Sequence, residues 1–353
     1  MKQEFKIGEK TVGQGHPCYC VAELSGNHNG SFERAKEIIY AAHEAGADAV
    51  KLQTYTADSL ALNCNNEYFR LKNGGLWDGR NLYDLYTEAA TPYEWQPKLM
   101  ELANSLGMEC FSSPFDIDAV ERMHEWNMPA YKIASYEINE VNLIRKAASM
   151  HKPIIFATGI ALKEDLDLAM QICREEGNEE VFLLKCVSAY PTPYEDVNLN
   201  MIPTLKEMYG CLVGLSDHTM GSTVPVGAAA LGIKMVEKHL TLKRADGGVD
   251  SGFSMEPDEF RKMVTDIRIM EKALGKSEYG LTPKQIGERD LSRSLFVAAD
   301  VKAGDKITPE NIRSVRPHAG LETKYYEEIL GKTFAKDIKM GEPLRPDDIG
   351  RKE

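Results

Sequence analysis

No apolar run in these 353 residues approaches the roughly 20 positions that a membrane-spanning helix needs. The N-terminus, M-K-Q-E-F-K-I-G-E-K, lacks the apolar core of a secretory signal. No C-x-x-C occurs. The seven cysteines (18, 20, 64, 110, 173, 186 and 211) are odd in number, scattered, and mostly set in apolar runs. They read as buried free thiols in a reducing compartment. Positive charge is in deficit: the formal net charge is −12. That argues against nucleic-acid binding but leaves room for a local basic pocket for a small anion. No G-x-G-x-x-G follows the first expected strand, which weakens a dinucleotide-binding reading. The expectation is a cytoplasmic protein with no membrane and no nucleic-acid partner. Hydrophobic content of 43% and charged content of 27% suit a globular enzyme.

Periodicity gives a repeating strand–helix rhythm. Residues 1–17 read as a polar hairpin, with turn signals at Gly8 and around 13–15. Strands are expected to begin near 19, 48, 108, 130, 153, 181, 211 and 235, each followed by a helix. Ser31 is an N-cap for the first helix, and Gly46, Gly107, Gly177 and Gly275 stop helices. Eight such units within residues 1–275 is the arithmetic of a closed (β/α)8 TIM barrel. An open doubly wound sheet is the second option. Residues 276–295 are polar and read as a linker. Residues 296–353 contain a weak repeat: D-V-K-A-G-D-K-I-T-P-E-N-I begins at Asp300, and D-I-K-M-G-E-P-L-R-P-D-D-I begins 37 residues later at Asp337. Each copy reads as a short strand, a glycine turn and a proline-led helical turn. The pair implies a small pseudo-twofold domain, marginal by itself and helped by docking on another surface.

The stretch 211–242 organises the rest. Two short apolar runs flank a small-residue segment that reads as a helix of about three turns, and a βαβ unit makes the two runs parallel neighbours. His218 and His239 then meet at one sheet edge. Spacing leaves two readings: a shared metal ion, or two separately satisfied histidines. Other polar residues fall at expected strand ends: Glu23; Lys51 and Gln53; Ser112 and Ser113; Lys132, Ser135 and Glu137; Thr158; Lys185; Ser216 and Asp217; Glu237 and Lys238. A lysine in an apolar strand needs a counter-charge. Lys51 pairs with Glu23 or Glu137 as a structural bridge, or Lys51 and Lys132 bind an anion with Ser135 and Ser216 donating hydrogen bonds. A carboxylate at Glu23 flanked by two lysines would stay ionised and suit base or orienting work. The insertion at 55–90 carries Tyr68, Phe69, Trp77 and Tyr83. It forms a lid or specificity wall, or its aromatics merely pack the loop.

Six stretches together resemble the sialic acid synthase family. They are A-E-L-S-G-N-H-N-G (22–30), G-A-D-A-V-K-L-Q-T (46–54), Y-K-I-A-S-Y-E-I-N (131–139), Y-P-T-P-Y-E-D (190–196), G-L-S-D-H-T (214–219) and E-K-H (237–239). The tail resembles that family's antifreeze-like (SAF) domain. V-K-L-Q-T-Y-T and S-R-S-L-F-V resemble its pseudaminic acid synthase branch. The resemblance implies a transferase that condenses phosphoenolpyruvate with an N-acylated amino sugar. For that branch the sugar is 2,4-diacetamido-2,4,6-trideoxy-L-altropyranose. Acceptors of N-acetylneuraminate, legionaminate or spore-coat synthases are the near alternatives. A metal aldolase or a carbohydrate-binding protein is the distant one. It implies a divalent metal, Mn2+ before Mg2+ or Co2+, on His218 and His239. It implies phosphoenolpyruvate contacts from Lys51, Lys132, Ser135 and Ser216. Glu23, Gln53, Glu137, Tyr190, Glu237 and Asp250 would surround sugar and metal. Arg316 would reach the other subunit's site in a domain-swapped homodimer. One departure stands out: Ala157 occupies a position where many members carry a phosphate-holding serine, and either Thr158 takes over that contact or the contact is absent.

Overall fold

The computed structural model describes residues 1–72 and 74–350. The chain divides into two compact units, Met1–Gly275 and Lys276–Glu353. In the first, Glu4–Ile7 (β1) and Lys10–Gly13 (β2) pair as an antiparallel hairpin. The barrel strands are Tyr19–Glu23 (β3), Ala49–Thr54 (β4), Glu109–Pro114 (β5), Tyr131–Ile133 (β6), Ile154–Ala157 (β7), Val181–Lys185 (β8), Leu212–Asp217 (β9) and Met235–His239 (β10). They run parallel in sequence order, and β10 closes onto β3. Closure settles the fold as a barrel rather than an open sheet.

Phe32–Glu44 (α1) follows β3. Ala57–Leu60 (α2), Leu82–Ala89 (α3) and Gln96–Ser105 (α4) lie between β4 and β5. The outer ring continues with Ile117–Glu125 (α5), Val141–Ser149 (α6), Lys163–Glu175 (α7), Met201–Tyr209 (α8), Thr223–Ala230 (α9) and Pro257–Leu274 (α10). Ser31 caps α1 by accepting the Arg34 N–H. Helix α9 is about a turn shorter than its segment predicts. Gly221 and Gly232, both with positive φ, bound it on either side.

Side chains alternate along each strand, so one set fills the lumen and the other packs under the helices. Tyr19, Val21, Ala49, Phe111, Ala130, Ile155, Phe182, Leu184, Leu212 and Met235 form the inner cluster. Phe5, Ile7 and Val12 of the hairpin join it, and the Phe5 ring meets Phe182 edge-on at 5.5 Å. The hairpin thereby seals the N-terminal end of the barrel. Position 214 of β9 has no room for a side chain: a Cβ there would lie 2.6 Å from the Met235 carbonyl oxygen and against Leu184.

The second unit holds Pro283–Glu288 (α11), an antiparallel pair Ser294–Val297 (β11) and Ile312–Val315 (β12), and Tyr326–Ile329 (α12). Leu295, Val297, Ile307, Ile312, Phe334, Ile338 and Leu344 form its core. The two sequence copies clasp each other reciprocally. Lys302 pairs with Asp337 at 2.7 Å and Lys339 with Asp300 at 2.6 Å. Val301 and Ile338 exchange both backbone hydrogen bonds. The copies differ at their ends. Pro346–Asp348 is a 3-10 turn, whereas 309–311 is a plain turn. There the Asn311 side chain bridges Thr308 N–H and the Lys306 carbonyl, and the chain leaves directly into β12.

Candidate active site

The lumen row continues past the apolar layers to the C-terminal rim. By the same alternation it places Glu23, Lys51, Gln53, Ser113, Lys132, Ala157, Cys186, Ser216, His218, Glu237 and His239 inside. Register puts Glu23 beside His239 on one flank and beside Lys51 on the other, and Ser216 beside Glu237. Lys51 Nζ lies 2.7 Å from Glu23 and 3.8 Å from Glu237, and Lys132 Nζ lies 3.8 Å from the same Glu237 oxygen. Ser216 donates to that carboxylate at 3.2 Å, and Gln53 donates to Glu23 at 2.9 Å. All four charged groups are buried.

The electrostatics follow from this packing. Burial pushes the Glu23 carboxyl up to about 7 against the pull of Lys51. Burial disfavours charge on Lys51, yet Glu23 and Glu237 together hold it above the ordinary lysine value. Burial also opposes charge on Glu237, but Lys132 and Lys51 outweigh it and hold the carboxyl low. Lys132 is lowered by burial, with Glu237 restraining the fall. The carboxylate flanked by two lysines is thus Glu237. Glu23 has one lysine and a titration range near neutrality, which corrects the expectation that it stays ionised.

His218 and His239 meet with ring centroids 5.4 Å apart. Phe253 packs 4.8 Å from His239, and Tyr190 packs 4.5 Å from His218. Trp77 from the insertion closes over Tyr190 at 5.3 Å. Burial lowers the proton affinity of both imidazoles, and at His239 the neighbouring His218 and Lys51 lower it further. His218 Nδ1–H donates to the Val187 carbonyl at 3.0 Å, because a carbonyl can only accept. Its Nε2 therefore keeps a free lone pair. His239 Nδ1 and Glu237 Oε2 are buried with no hydrogen-bond partner. Among the described residues no group of three or more His, Cys, Asp or Glu forms a metal cage. Two neutral imidazoles with lone pairs unspent nonetheless fit a divalent ion as two of its ligands.

Above the rim lies a cavity of about 500 Å³. Ser25, Gln53, Ser135, Glu137, Tyr190, His239 and Asp250 give it a polar side. Burial pushes Glu137 up to about 7, and its Oε2 has no partner. Asp250 accepts a very short hydrogen bond from Ser25 Oγ. Ser135 Oγ takes the Ile160 N–H and the Ser188 hydroxyl, each at 2.9 Å.

Residues 38–279 match the NeuB family and residues 292–350 match the SAF domain. The chain belongs to the NeuB family. The pseudaminic acid synthase of Campylobacter jejuni is 48% identical over 331 residues, 94% of this chain and 96% of its own length. The pseudaminic acid synthase of Helicobacter pylori is 46% identical over 336 residues, 95% and 98% of the two chains. The solved N-acetylneuraminic acid synthetase of Leptospira borgpetersenii, in complex with citrate, superposes with a TM-score of 0.73 at 29% identity. That match covers 81% of this chain and 95% of the other.

In this NeuB-family barrel, alternation sorts the residues that sequence could only place at strand ends. Ser112, Lys185, Asp217 and Lys238 belong to the outer set. Lys238 is bound to Asp217 at 2.5 Å, Ser112 shares a hydroxyl contact with Thr54, and Lys185 donates to the Cys186 carbonyl. Thr158 follows the lumen-facing Ala157 and so points away from the lumen. Its Oγ1 accepts the Cys186 N–H, so its side chain does not replace the serine missing at 157. Arg316 is an exposed residue of the second unit. Of the insertion aromatics, Trp77 lines the cavity, whereas Tyr68 is exposed. Sequence reasoning missed Cys186 and Phe253. Counting by twos from Phe182 and Leu184 finds Cys186. Nothing local marks Phe253, which arrives from the loop after β10. All seven cysteines are free thiols.

Proposed function

We propose that this chain is a pseudaminic acid synthase. In this reading it condenses phosphoenolpyruvate with the open-chain form of 2,4-diacetamido-2,4,6-trideoxy-L-altrose and water, releasing phosphate. The observation that carries the reading is the juxtaposition, on one rim, of two buried lysines and two neutral imidazoles with unspent lone pairs. Relatives that bear this activity's name at 46–48% identity support it.

Lys51 and Lys132 neutralise the carboxylate and phosphate of phosphoenolpyruvate, Ser135 donates a hydrogen bond to it, and Ser216 does so by turning its hydroxyl away from Glu237. These contacts exist before and during reaction, so they supply binding and orientation. Carbon 3 of phosphoenolpyruvate attacks the aldehyde carbon, and cationic character develops at carbon 2. Water adds there and phosphate leaves with carbon–oxygen cleavage. Glu23, ionised above about pH 7, orients that water and takes its proton. Gln53, Glu137, Tyr190 and Asp250 hold the sugar, and Glu237 keeps the lysine pair charged when the site is empty. When bound at His218 and His239, a divalent ion, Mn2+ before Mg2+ or Co2+, supplies Lewis-acid polarisation of the aldehyde. Arg316 completes the sugar site from the second subunit of a homodimer. A cytoplasmic location belongs to the same reading; no described helix is long and apolar enough to cross a membrane.

The test is phosphate release from phosphoenolpyruvate with a panel of acceptors. Turnover with the 2,4-diacetamido-2,4,6-trideoxy altrose sugar, and not with N-acetylmannosamine or the manno-configured diacetamido sugar, is the expected result. Preference for either of the latter overturns the choice of sugar.

A further inference from the structure

The cavity over the rim is two-sided, and only one side is polar. Leu60, Leu71, Leu82, Leu85, Ala89 and Val249 make the other. All but Val249 come from the insertion between β4 and α4. Leu85, Ala89 and Val249 are buried and pack with Leu71 and Trp77 as a small core of their own. The indole N–H of Trp77, the nearest donor in that core, is spent on the Val249 carbonyl at 2.8 Å. The wall is anchored as well as apolar. Asn81 caps α3 through the Tyr83 and Asp84 N–H groups, and its amide donates to the Cys64 carbonyl at 2.9 Å. Tyr55 and Tyr86 also line the cavity, and burial above all keeps their phenols protonated, with Asp250 adding to the effect at Tyr55 and Glu137 at Tyr86.

We propose that this aliphatic wall is the determinant that selects an acceptor ending in a methyl group over one ending in hydroxymethyl at carbon 6. The inference rests on the reading of the chain as a nonulosonic acid synthase and deepens it at the level of named residues. The aldehyde end of an open-chain hexose must lie at the imidazoles, where His239 borders the cavity, so the far end of the sugar is directed into the remaining space. A terminal methyl is buried there at a gain. Against these aliphatic side chains a terminal hydroxyl is stripped of water and finds no partner, which costs free energy. An apolar pocket rejects an added hydroxyl by at most roughly a hundredfold, so the expected preference is about ten- to a hundredfold in kcat/KM.

The experiment measures phosphate release by the full-length enzyme with matched acceptors differing only at carbon 6. Wild type, Leu82→Asn and Leu60→Asn are compared, both substituted residues being half-buried wall positions. The expected result is wild-type preference for the 6-deoxy sugar. In each variant the preference shrinks about tenfold, while KM for phosphoenolpyruvate, set deeper in the barrel, certifies a folded protein. The wild-type ratio stands alone as a test should a variant fail to fold. Wild-type turnover of both acceptors within threefold overturns the wall assignment while leaving the enzyme class intact. Variants that instead alter discrimination at the carbon 4 acetamido group overturn it too. No phosphate release with any acceptor overturns the functional reading, and the wall with it.

Discussion

Glu237→Gln isolates the charge arithmetic of the rim. The carboxylate lies 3.8 Å from each lysine nitrogen, which at an effective dielectric of about 20 is roughly 4 kcal/mol of attraction per pair. Removing it also removes the cost of burying Glu237 itself. The net loss is therefore that of a broken buried pair, about 3–5 kcal/mol, or a fall in Tm of roughly 6–15 °C for a unit of this size. Two signatures separate this from ordinary damage. The first is pH. Lys132 already titrates below the usual lysine value because it is buried, and Glu237 restrains that fall. Without the restraint its folded value drops further, while the unfolded value stays near 10.4. The unfolded chain then binds more protons than the folded one across a wider window below pH 10. Stability is lost as pH falls through that window, so the variant's deficit shrinks as pH rises toward 10. The second is anion rescue. Phosphate or phosphoenolpyruvate replaces the missing negative charge, so either ligand raises Tm more in the variant than in wild type. Urea unfolding at several pH values, with and without phosphate, reads both. An unchanged stability, or a loss that neither pH nor anion reduces, refutes the reasoning.

Other perturbations have equally definite outcomes. With Glu23 deprotonating at about 7, kcat/KM falls as pH drops below 7; the limb persists in Glu137→Gln and disappears, with a rate loss of at least about a hundredfold, in Glu23→Gln. A chelator abolishes phosphate release and added Mn2+ restores it, whereas the His218→Ala, His239→Ala double variant keeps its circular dichroism spectrum, gives no turnover and shows no Mn2+ binding by calorimetry. Arg316→Ala raises KM for the sugar at least about tenfold more than KM for phosphoenolpyruvate, a loss on the order of one charge-assisted hydrogen bond; equal effects on both constants count against its assignment to the sugar.

Much of this architecture is legible in the sequence because helical periodicity and short apolar runs alternate regularly. Short continuous apolar runs bounded by turn signals mark V-F-L-L-K and L-V-G-L-S-D as strands buried on both faces, and the glycines after α1, α4 and α7 mark where helices stop. Length and strand count then close the barrel. What escaped was parity at the rim. A list of strand-end residues treats Asp217 and Ser216 alike, yet one faces helices and the other faces the barrel lumen. Counting from the lumen-facing Leu212 separates them, and the same count moves Thr158 out and Cys186 in. Long-range partnerships were harder. That Lys51 binds Glu23 rather than Glu137 depends on which strands are neighbours in the closed ring. Phe253 comes from a loop whose periodicity carries no signal, and the wall residues of α2 and α3 mark a helix face without showing what it faces, so only the folded chain brings them to the imidazoles. In the second unit the repeat was visible, but not that its copies clasp through reciprocal lysine–aspartate pairs.

The Asp217–Lys238 bridge sits on the far side of the barrel wall from the imidazole pair, Asp217 ending β9 one residue before His218 and Lys238 one before His239 on β10. It works as a rivet through a thin plate. Tightened on the outside, it fixes the height at which the two rings emerge on the inside. Selection on the gap between the imidazoles therefore reaches residues that no substrate touches. The helix-facing skin of β9 and β10 is a second place from which the spacing of the two imidazoles can drift or be engineered.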